Sequence, residues 1–474
     1  MANLVRNTTI YALGDIIPRL FNFITFPVLT HYLTPAEYGI INYINTLNAF
    51  LLVFSVLSLN TYYLVFYYRQ ENKTEQRKLL GNLTIFIVGI TAAISILAYF
   101  FGYYLTDVFQ NEIKFFPYIA LGIATNFFNV FSVLPLATYR VEENPLPVTI
   151  INVIKSVLVM LLTILLVVKF NYKALGVLWA TLVVTAIFAI WFIAITIKKS
   201  IFCFNWKQIK SALAFSLPLV PGSIAYYLVS MSDRILIEKY VGLSELGIYG
   251  TASTLALLLN IISTGAYKAF EPYFFKIYGT ENFIHQFKQV QNAFLLVLLI
   301  GASGLALFSK EALILMASES FLSAYLYVPP LLIGVLSSSI CLLFGTVLTA
   351  QSKTKTNSMI SILGGCASVI ANVILLPHIG ILGACLTSAI VFTGMLAATI
   401  SFSKIKTLNL KVLSSIVFTF AMIVYPIYFL NIKSIVLSIG IKILILATIS
   451  LVSAYLLNIK FKKSNGSLFN KLFA

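Results

Sequence analysis

Charge is scarce in this sequence, and acidic charge scarcest. Asp, Glu, Lys and Arg together make up 10% of its 474 residues, and Asp plus Glu number 15. A soluble globular domain keeps roughly a quarter of its residues charged, so that class is excluded. Cysteine is nearly absent too. Cys203, Cys341, Cys366 and Cys385 share no metal-ligand spacing and build no disulfide framework. His31, His285 and His378 are scattered, and the connecting loops hold no His–Asp or paired-carboxylate cluster for hydrolytic chemistry. A GxxxxGK[ST] phosphate loop is missing, so the chain is not expected to hydrolyse ATP. No small-residue cleavage site follows the opening MANLVRN, so no cleaved signal is expected.

What is present is apolar. Hydrophobic residues make up 60% of the chain, and the mean hydropathy is +0.96. They arrive in runs of about twenty, the length that crosses a roughly 30 Å hydrocarbon core. At that depth each backbone polar group must be satisfied within its own segment, so the runs are read as helices. Cutting at charged and Pro/Gly-rich breaks gives about fourteen spans: 8–29, 38–62, 80–106, 115–138, 148–168, 174–197, 212–236, 245–268, 289–308, 322–348, 354–376, 380–403, 410–430 and 434–457.

The formal net charge of +17 would suggest nucleic acid in a soluble protein. Here most Lys and Arg sit in short connections and the tail, which reads as topology-setting charge, and no nucleic-acid partner is expected. Alternate loops are unequal: about 22 basic residues fall on one side and about 6 on the other. The basic side holds Arg69 to Lys78, Lys198 to Lys210, Lys353, Lys355 and the tail Lys460 to Lys471; the other holds Lys114, Lys169, Lys173, Lys239, Lys310 and Lys433. The expectation is a multi-pass protein of a bacterial inner membrane with both termini cytoplasmic.

An internal repeat is legible. HYLTPAEYGI at 31–40 returns as KYVGLSELGI at 239–248, pairing Tyr32 with Tyr240, Glu37 with Glu245 and Gly39 with Gly247. ALGVLWAT from Ala174 parallels ILGACLTS from Ile381. Six spans separate equivalent points, and an even number implies parallel repeats with a site between them. The expected domains are a six-helix bundle at 1–204, a second at 205–405, and two extra spans with a basic tail at 406–474.

Ionisable groups inside spans cost roughly 2.5 to 3.5 kcal/mol each and are functional candidates by default. In the first span Asp15, Arg19 and Asn22 fall on one helical face, with Pro18 a candidate kink. Asp15 and Arg19, at i and i+4, can pair structurally or serve a cavity. Asn152 and Lys155 share a face of the fifth span, where Lys155 either snorkels or faces a cavity. Asn260, Thr264, Tyr267, Lys268 and Glu271 make a polar stripe in the eighth. Asp233 and Arg234, being adjacent, are expected on different sides of the seventh. Asn42, Asn45, Asn48, Asn126 and Asn129 offer neutral donors and acceptors, for sugar hydroxyls or for helix–helix bonds.

The segments LTHYLTPAEYGI and SMSDRILIEKYVGLSELGIYG, with length, span count and repeat, resemble the polysaccharide-unit flippases, the Wzx-type O-antigen transporters of the MATE-like multidrug/oligosaccharidyl-lipid/polysaccharide superfamily. The resemblance covers essentially the whole chain. It implies a non-enzymatic flippase without cofactor, moving a polyprenyl-pyrophosphate-linked oligosaccharide of O-antigen or lipopolysaccharide type by alternating access. Implied partners are the lipid-linked substrate, membrane lipids, a polysaccharide polymerase, glycosyltransferases and a Na+ or H+ counter-ion. With that cargo, Arg19 and Lys155 are the expected diphosphate contacts, since Arg suits bidentate phosphate recognition and Lys point-charge attraction. Asn22, Asn152, Lys268 and Arg234 complete the candidate substrate site, and Asp15 and Asp233 are the ion-coupling candidates. Alternatives are a cation-coupled multidrug exporter, a lipid-linked peptidoglycan precursor flippase and a polyprenyl-dependent glycosyltransferase or polymerase. The first would want an acidic or aromatic cavity, and the last a sizeable outer loop.

The charge asymmetry makes a direct prediction. A cysteine placed at residue 470 should stay unlabelled by an impermeant maleimide in intact cells and become labelled after permeabilisation; labelling of intact cells would reverse the orientation.

Overall fold

The computed structural model describes residues 2–109, 112–405, 407 and 435–457. Among the described residues every regular element is a helix, as a chain without water to satisfy its backbone requires. In order they are α1 (Ala2–Tyr32), α2 (Pro35–Val56), α3 (Leu59–Phe66), α4 (Lys73–Phe109), α5 (Ala120–Val130), α6 (Val133–Val141), α7 (Pro145–Ile164) and α8 (Lys173–Lys199). After the 200–205 connection come α9 (Trp206–Ser216), α10 (Val220–Tyr240), α11 (Leu243–Ile277), α12 (Phe283–Met316), α13 (Val328–Ala350), α14 (Thr354–Ile379), α15 (Ile381–Ser403) and α16 (Ile435–Leu456).

Eleven helical segments among the described residues are long and apolar enough to cross a membrane. They match the second to the twelfth expected spans. The first, α1, is helical throughout with Pro18 and Pro27 inside it. The last, α16, holds a shorter apolar stretch at Ser438–Ser453. The expected span at 410–430 and the tail beyond 457 lie outside the described residues.

Several spans are broken where the sequence suggested single helices. The second divides into α2 and α3 at Leu57 and Ser58, both in the left-handed region with φ of 48° and 57°. The seventh begins earlier than expected, at Trp206, and is interrupted by a 3-10 turn at Leu217–Leu219 beside Pro218 and Pro221. Proline removes a helical hydrogen bond and crowds the preceding turn, which accounts for that break.

The two copies of the repeat meet. In the first, Thr34 caps α2: its hydroxyl accepts from the Glu37 backbone NH at 3.3 Å, and the Glu37 carboxylate accepts from the Thr34 NH at 2.9 Å. With Pro35 in the first turn this is a complete capping box. The second copy has Gly242 where the first has Thr34, so α11 has no side-chain cap of its own. The deficit is met from elsewhere in the chain, because Glu112 Oε2 accepts from the Leu243 NH at 3.1 Å. Glu238 in turn accepts from the Glu112 NH at 3.0 Å.

The paired glycines set the distance between α2 and α11. A Cβ on Gly39 would stand 2.1 Å from the Leu243 carbonyl oxygen, and one on Gly247 would stand 1.8 Å from that of Pro35. Pro35 and Leu243 are themselves equivalent in the repeat, so the contact is reciprocal. Beside it, Tyr38 and Thr254 hydroxyls lie 3.2 Å apart, and Asn42 fits against Gly250. Thr30 donates to the Met316 carbonyl at 3.0 Å, and Ser318 to the Thr30 carbonyl at 2.7 Å. This end of the bundle is therefore sealed between α1–α2 and α11–α12.

The extra helix α16 lies along α12. Lys442, buried, pairs with Glu311 at 2.5 Å, and Asn292 donates to the Leu457 carbonyl at 2.8 Å. Neither Lys442 nor Glu311 was among the expected intramembrane charges.

Gly247→Ala should force α2 and α11 apart at a main-chain contact that has no flexible side chain to yield. Overpacking of this kind costs about 1–3 kcal/mol, so purified protein should melt several degrees lower than the parent. Gly222→Ala, at a site where a Cβ meets nothing within 4 Å, should leave the melting temperature unchanged.

Candidate functional site

Five of the intramembrane polar residues, Arg19, Asn129, Lys155, Asn260 and Thr264, meet in a layer of contacts that join α1 to α11 and α5 to α7. Helix α1 packs directly on α7: Gly14 admits Thr149, whose hydroxyl would lie 2.6 Å from a Cβ at residue 14 and donates to the Ile10 carbonyl at 2.9 Å. The two helices belong to the first and fifth crossings and so run parallel. Carried along both helices, the Gly14–Thr149 register brings Arg19 to the level of Ile154, next to Lys155. Asn152 and Asn22 fall within about a turn of the same level.

Across the layer Arg19 Nη1 donates to Asn260 Oδ1 at 3.3 Å, linking α1 to α11. Thr264 donates to the same oxygen at 3.3 Å. Lys155 Nζ reaches Asn129 Oδ1 on α5 at 3.5 Å rather than snorkelling to an end of the bundle. Each cation thus has an asparagine oxygen beside it. Arg19, Asn22 and Asn45 are exposed in mid-helix. A charged or amide group facing acyl chains would cost several kcal/mol, so this exposure marks water-accessible space within the bundle.

Other expected members of the site are placed elsewhere. Adjacency does not separate Asp233 from Arg234: Arg234 Nη1 lies 3.5 Å from Asp233 Oδ1, which also accepts from the Arg234 backbone NH at 2.8 Å. The second oxygen of Asp233 accepts from the Tyr249 hydroxyl, and Arg234 also donates to the Ser230 carbonyl at 3.0 Å. Asp233 is buried, so this pair joins α10 to α11 and does not face the Arg19 layer. A backbone NH next in sequence and an arginine long enough to fold back explain why adjacent residues converge.

The polar stripe of α11 is likewise divided. Asn260 and Thr264 belong to the layer, whereas Tyr267 turns to Thr346 of α13 at 2.6 Å and donates to Glu271 at 3.0 Å. Lys268 is half-buried beside it. Of the asparagines, Asn126 joins Ser55 at 3.0 Å and Asn42 bonds the Tyr38 carbonyl at 2.9 Å. Asn129, through Lys155, is the one drawn into the layer. The side chain of Asp15 lies outside the described part of the structure.

The described residues contain no group of three or more His, Cys, Asp or Glu placed to hold a metal ion. The layer offers cationic and amide donors in a wet space, suited to binding a polar anion by charge-assisted hydrogen bonds.

Residues 4–278 match the model of a family described as polysaccharide biosynthesis protein. The chain is similar to Lsg locus putative protein 1 of Haemophilus influenzae, with 24% identity over 404 residues, covering 80% of this chain and 94% of that protein. Its fold is similar to that of a lipid II flippase, MurJ, in an inward closed conformation, with a TM-score of 0.73 at 15% identity and coverage of 94% and 97% of the two chains. An inward-facing multidrug resistance MATE family transporter of the MOP superfamily matches with a TM-score of 0.61 at 13% identity, over 84% of this chain and 94% of that one.

Tyr249→Phe should leave one buried oxygen of Asp233 without its donor. An unmet buried acceptor costs about 1–3 kcal/mol, so the variant should lose several degrees of thermal stability. Asp233→Asn with Tyr249→Phe should lose less than the two single losses added together.

Proposed function

We propose, from the premise that this chain belongs to the polysaccharide biosynthesis protein family, that it carries a lipid-linked anionic glycan across the membrane. The cargo fitting the reading best is a polyprenyl-pyrophosphate-linked oligosaccharide repeat unit of O-antigen type, taken from the basic, cytoplasmic end and released at the other. The observation that carries the proposal is the pairing of Arg19 and Lys155 with asparagine oxygens at one depth of a wet layer. A neutral partner orients a cation without cancelling its charge, leaving it to attract a diphosphate.

Alternating access follows from the same arrangement. The segments 1–204 and 205–405 act as two bundles that rock about the layer, with α16 packed outside. The seal at Gly39 and Gly247 opens toward the outer leaflet while the basic end closes. Asp15, one turn from Arg19, orients it and exchanges Na+ or H+ as the cavity turns. Asp233 has both oxygens hydrogen-bonded and is assigned to holding α10 on α11. Asn22 and Asn152 bind from the level of the layer; Lys268 is the outlying contact. A multidrug exporter is the weaker reading, because Arg19 and Lys155 repel an organic cation.

The test compares Arg19→Ala, Arg19→Lys and Arg19→Ala with Asp15→Asn, each at normal membrane abundance. Losing a charge-assisted contact worth about 1.5–3 kcal/mol should lower export of surface polysaccharide about tenfold or more in Arg19→Ala. Arg19→Lys should keep partial export, and the double variant should be stable in the membrane yet export poorly. Recovery of both abundance and export in the double variant would assign the pair a structural role.

A further inference from the structure

At the basic end, where α10 begins and α14 leaves the turn carrying Lys353, a cavity of about 360 Å³ opens between these two helices. That size lies within the usual range of small-molecule pockets, about 300–1,000 Å³. No Asp, Glu, Lys, Arg or His lines it. Tyr226 and Tyr227 supply aromatic rings, and Ser223, Asn357, Ser358 and Ser361 supply hydroxyls and an amide. Tyr226 meets Tyr227 edge to face with centroids 5.5 Å apart, and Tyr227 tilts against Phe50 of α2 at 6.1 Å. The Ser223 hydroxyl lies 3.4 Å from that of Ser58, at the strained break between α2 and α3. The cavity therefore sits where helices from before and after the 200–205 connection meet.

The state of its polar groups narrows the ligand. Ser361 and Ser223 donate to main-chain carbonyls at 3.2 and 3.5 Å. Among the described residues the Asn357 amide, the Ser358 hydroxyl and both tyrosine hydroxyls have no hydrogen-bond partner within the protein. An apolar ligand would leave the Asn357 amide unmet at a cost. A phosphate would lack the Arg or Lys that recognises it, and a metal cation would lack carboxylates. A neutral polyhydroxyl compound satisfies all of these conditions, with C–H faces against the tyrosine rings and hydroxyls on Asn357 and the serines.

We propose that this cavity is a saccharide subsite, separate from the Arg19–Lys155 layer, that binds sugar units of the cargo; it rests on the proposed transport of a lipid-linked glycan. Gly222 provides the means to test it. Gly222 lines the cavity, and a Cβ there meets nothing within 4 Å. Gly222→Leu should thus fill the space without pushing on the protein, and leucine is the better helix former.

Two measurements on full-length protein in nanodiscs decide the matter. In saturation-transfer NMR with a panel of free hexoses and N-acetylhexosamines, at least one sugar should receive magnetisation from the protein. Gly222→Leu and Asn357→Ala should abolish that transfer, whereas Arg19→Ala should preserve it. In binding assays, farnesyl diphosphate bearing N-acetylglucosamine or another responding sugar should bind about tenfold tighter than bare farnesyl diphosphate. Gly222→Leu should erase that advantage without changing the affinity for the bare lipid. Absence of transfer to every sugar, or transfer undiminished in both cavity variants, would overturn the subsite. Equal binding of bare farnesyl diphosphate to the parent and to Arg19→Ala would instead overturn the diphosphate assignment, which the free-sugar measurement does not depend on.

Discussion

The Pro35 carbonyl occupies the space a Cβ would need on residue 247, and the Leu243 carbonyl does the same to residue 39. Two helix beginnings are thereby pressed together backbone to backbone, each glycine about one α-helical turn from the start of its own helix. Such closeness brings two like ends of helix dipoles into one place, each carrying roughly half a positive charge. The arrangement needs negative charge nearby, and it has it. Glu37 closes the cap of α2, Glu112 caps α11 from a distance, and Glu238 accepts from the backbone of Glu112. Glu245 stands 3.3 Å from where a Gly242 side chain would begin. Four of the 15 acidic residues in the chain gather at this seam, which gives a physical reason for their placement.

This seal adds polar joints to an apolar core, in which Tyr38 packs edge to face against Phe26 and Phe321 beside buried Leu243 and Leu246. Its joints are main-chain contact and hydrogen bonds, Thr30 with Met316, Ser318 with Thr30 and Tyr38 with Thr254. Each such bond is worth about 0.5–1.5 kcal/mol net, because water can take its place. Joints that water is able to re-solvate open at smaller cost than interdigitated leucines would. That property suits the end of a carrier that must part, and it sets the direction of the proposed cycle: this seam closed while the layer around Arg19 is wet.

The parts of this structure legible in the sequence are those with a local signature. Thr34-Pro35-Ala36-Glu37 announces a helix start by spacing alone, and the repeat announces that Gly39 and Gly247 play equivalent parts. Span positions followed from hydropathy, although the breaks at Leu57–Ser58 and Leu217–Leu219 did not. The first lacks glycine or proline, and its left-handed residues are held by surrounding contacts rather than by preference. What sequence could not supply were partners far apart in the chain. Glu112 and Leu243 are 131 residues apart, as are Glu311 and Lys442. No periodicity relates such pairs. Asn129 is a comparable case: among five candidate asparagines nothing local marked it as the one to meet Lys155.

The distribution of countercharge bears on the transport reading more than any single residue does. Carboxylates are few, yet Lys173 has Glu37 at 3.2 Å, Lys199 has Glu142 at 2.7 Å, Arg234 has Asp233 and Lys442 has Glu311. These four cations are each given an anion, whereas Arg77 and Lys353 join elements through the carbonyls of Lys198 and Phe402. Lys155 differs from those four. It is half-buried on a helix deep in the bundle and is given an amide oxygen. Arg19 meets the Asn260 oxygen in the same layer, with Asp15 one turn away on the same helix. Holding a cation at mid-depth against a neutral partner is costly unless its countercharge comes from outside the chain. A cargo that brings its own negative charge removes that cost each time it binds, and a cavity lined this way prefers to be occupied by an anion.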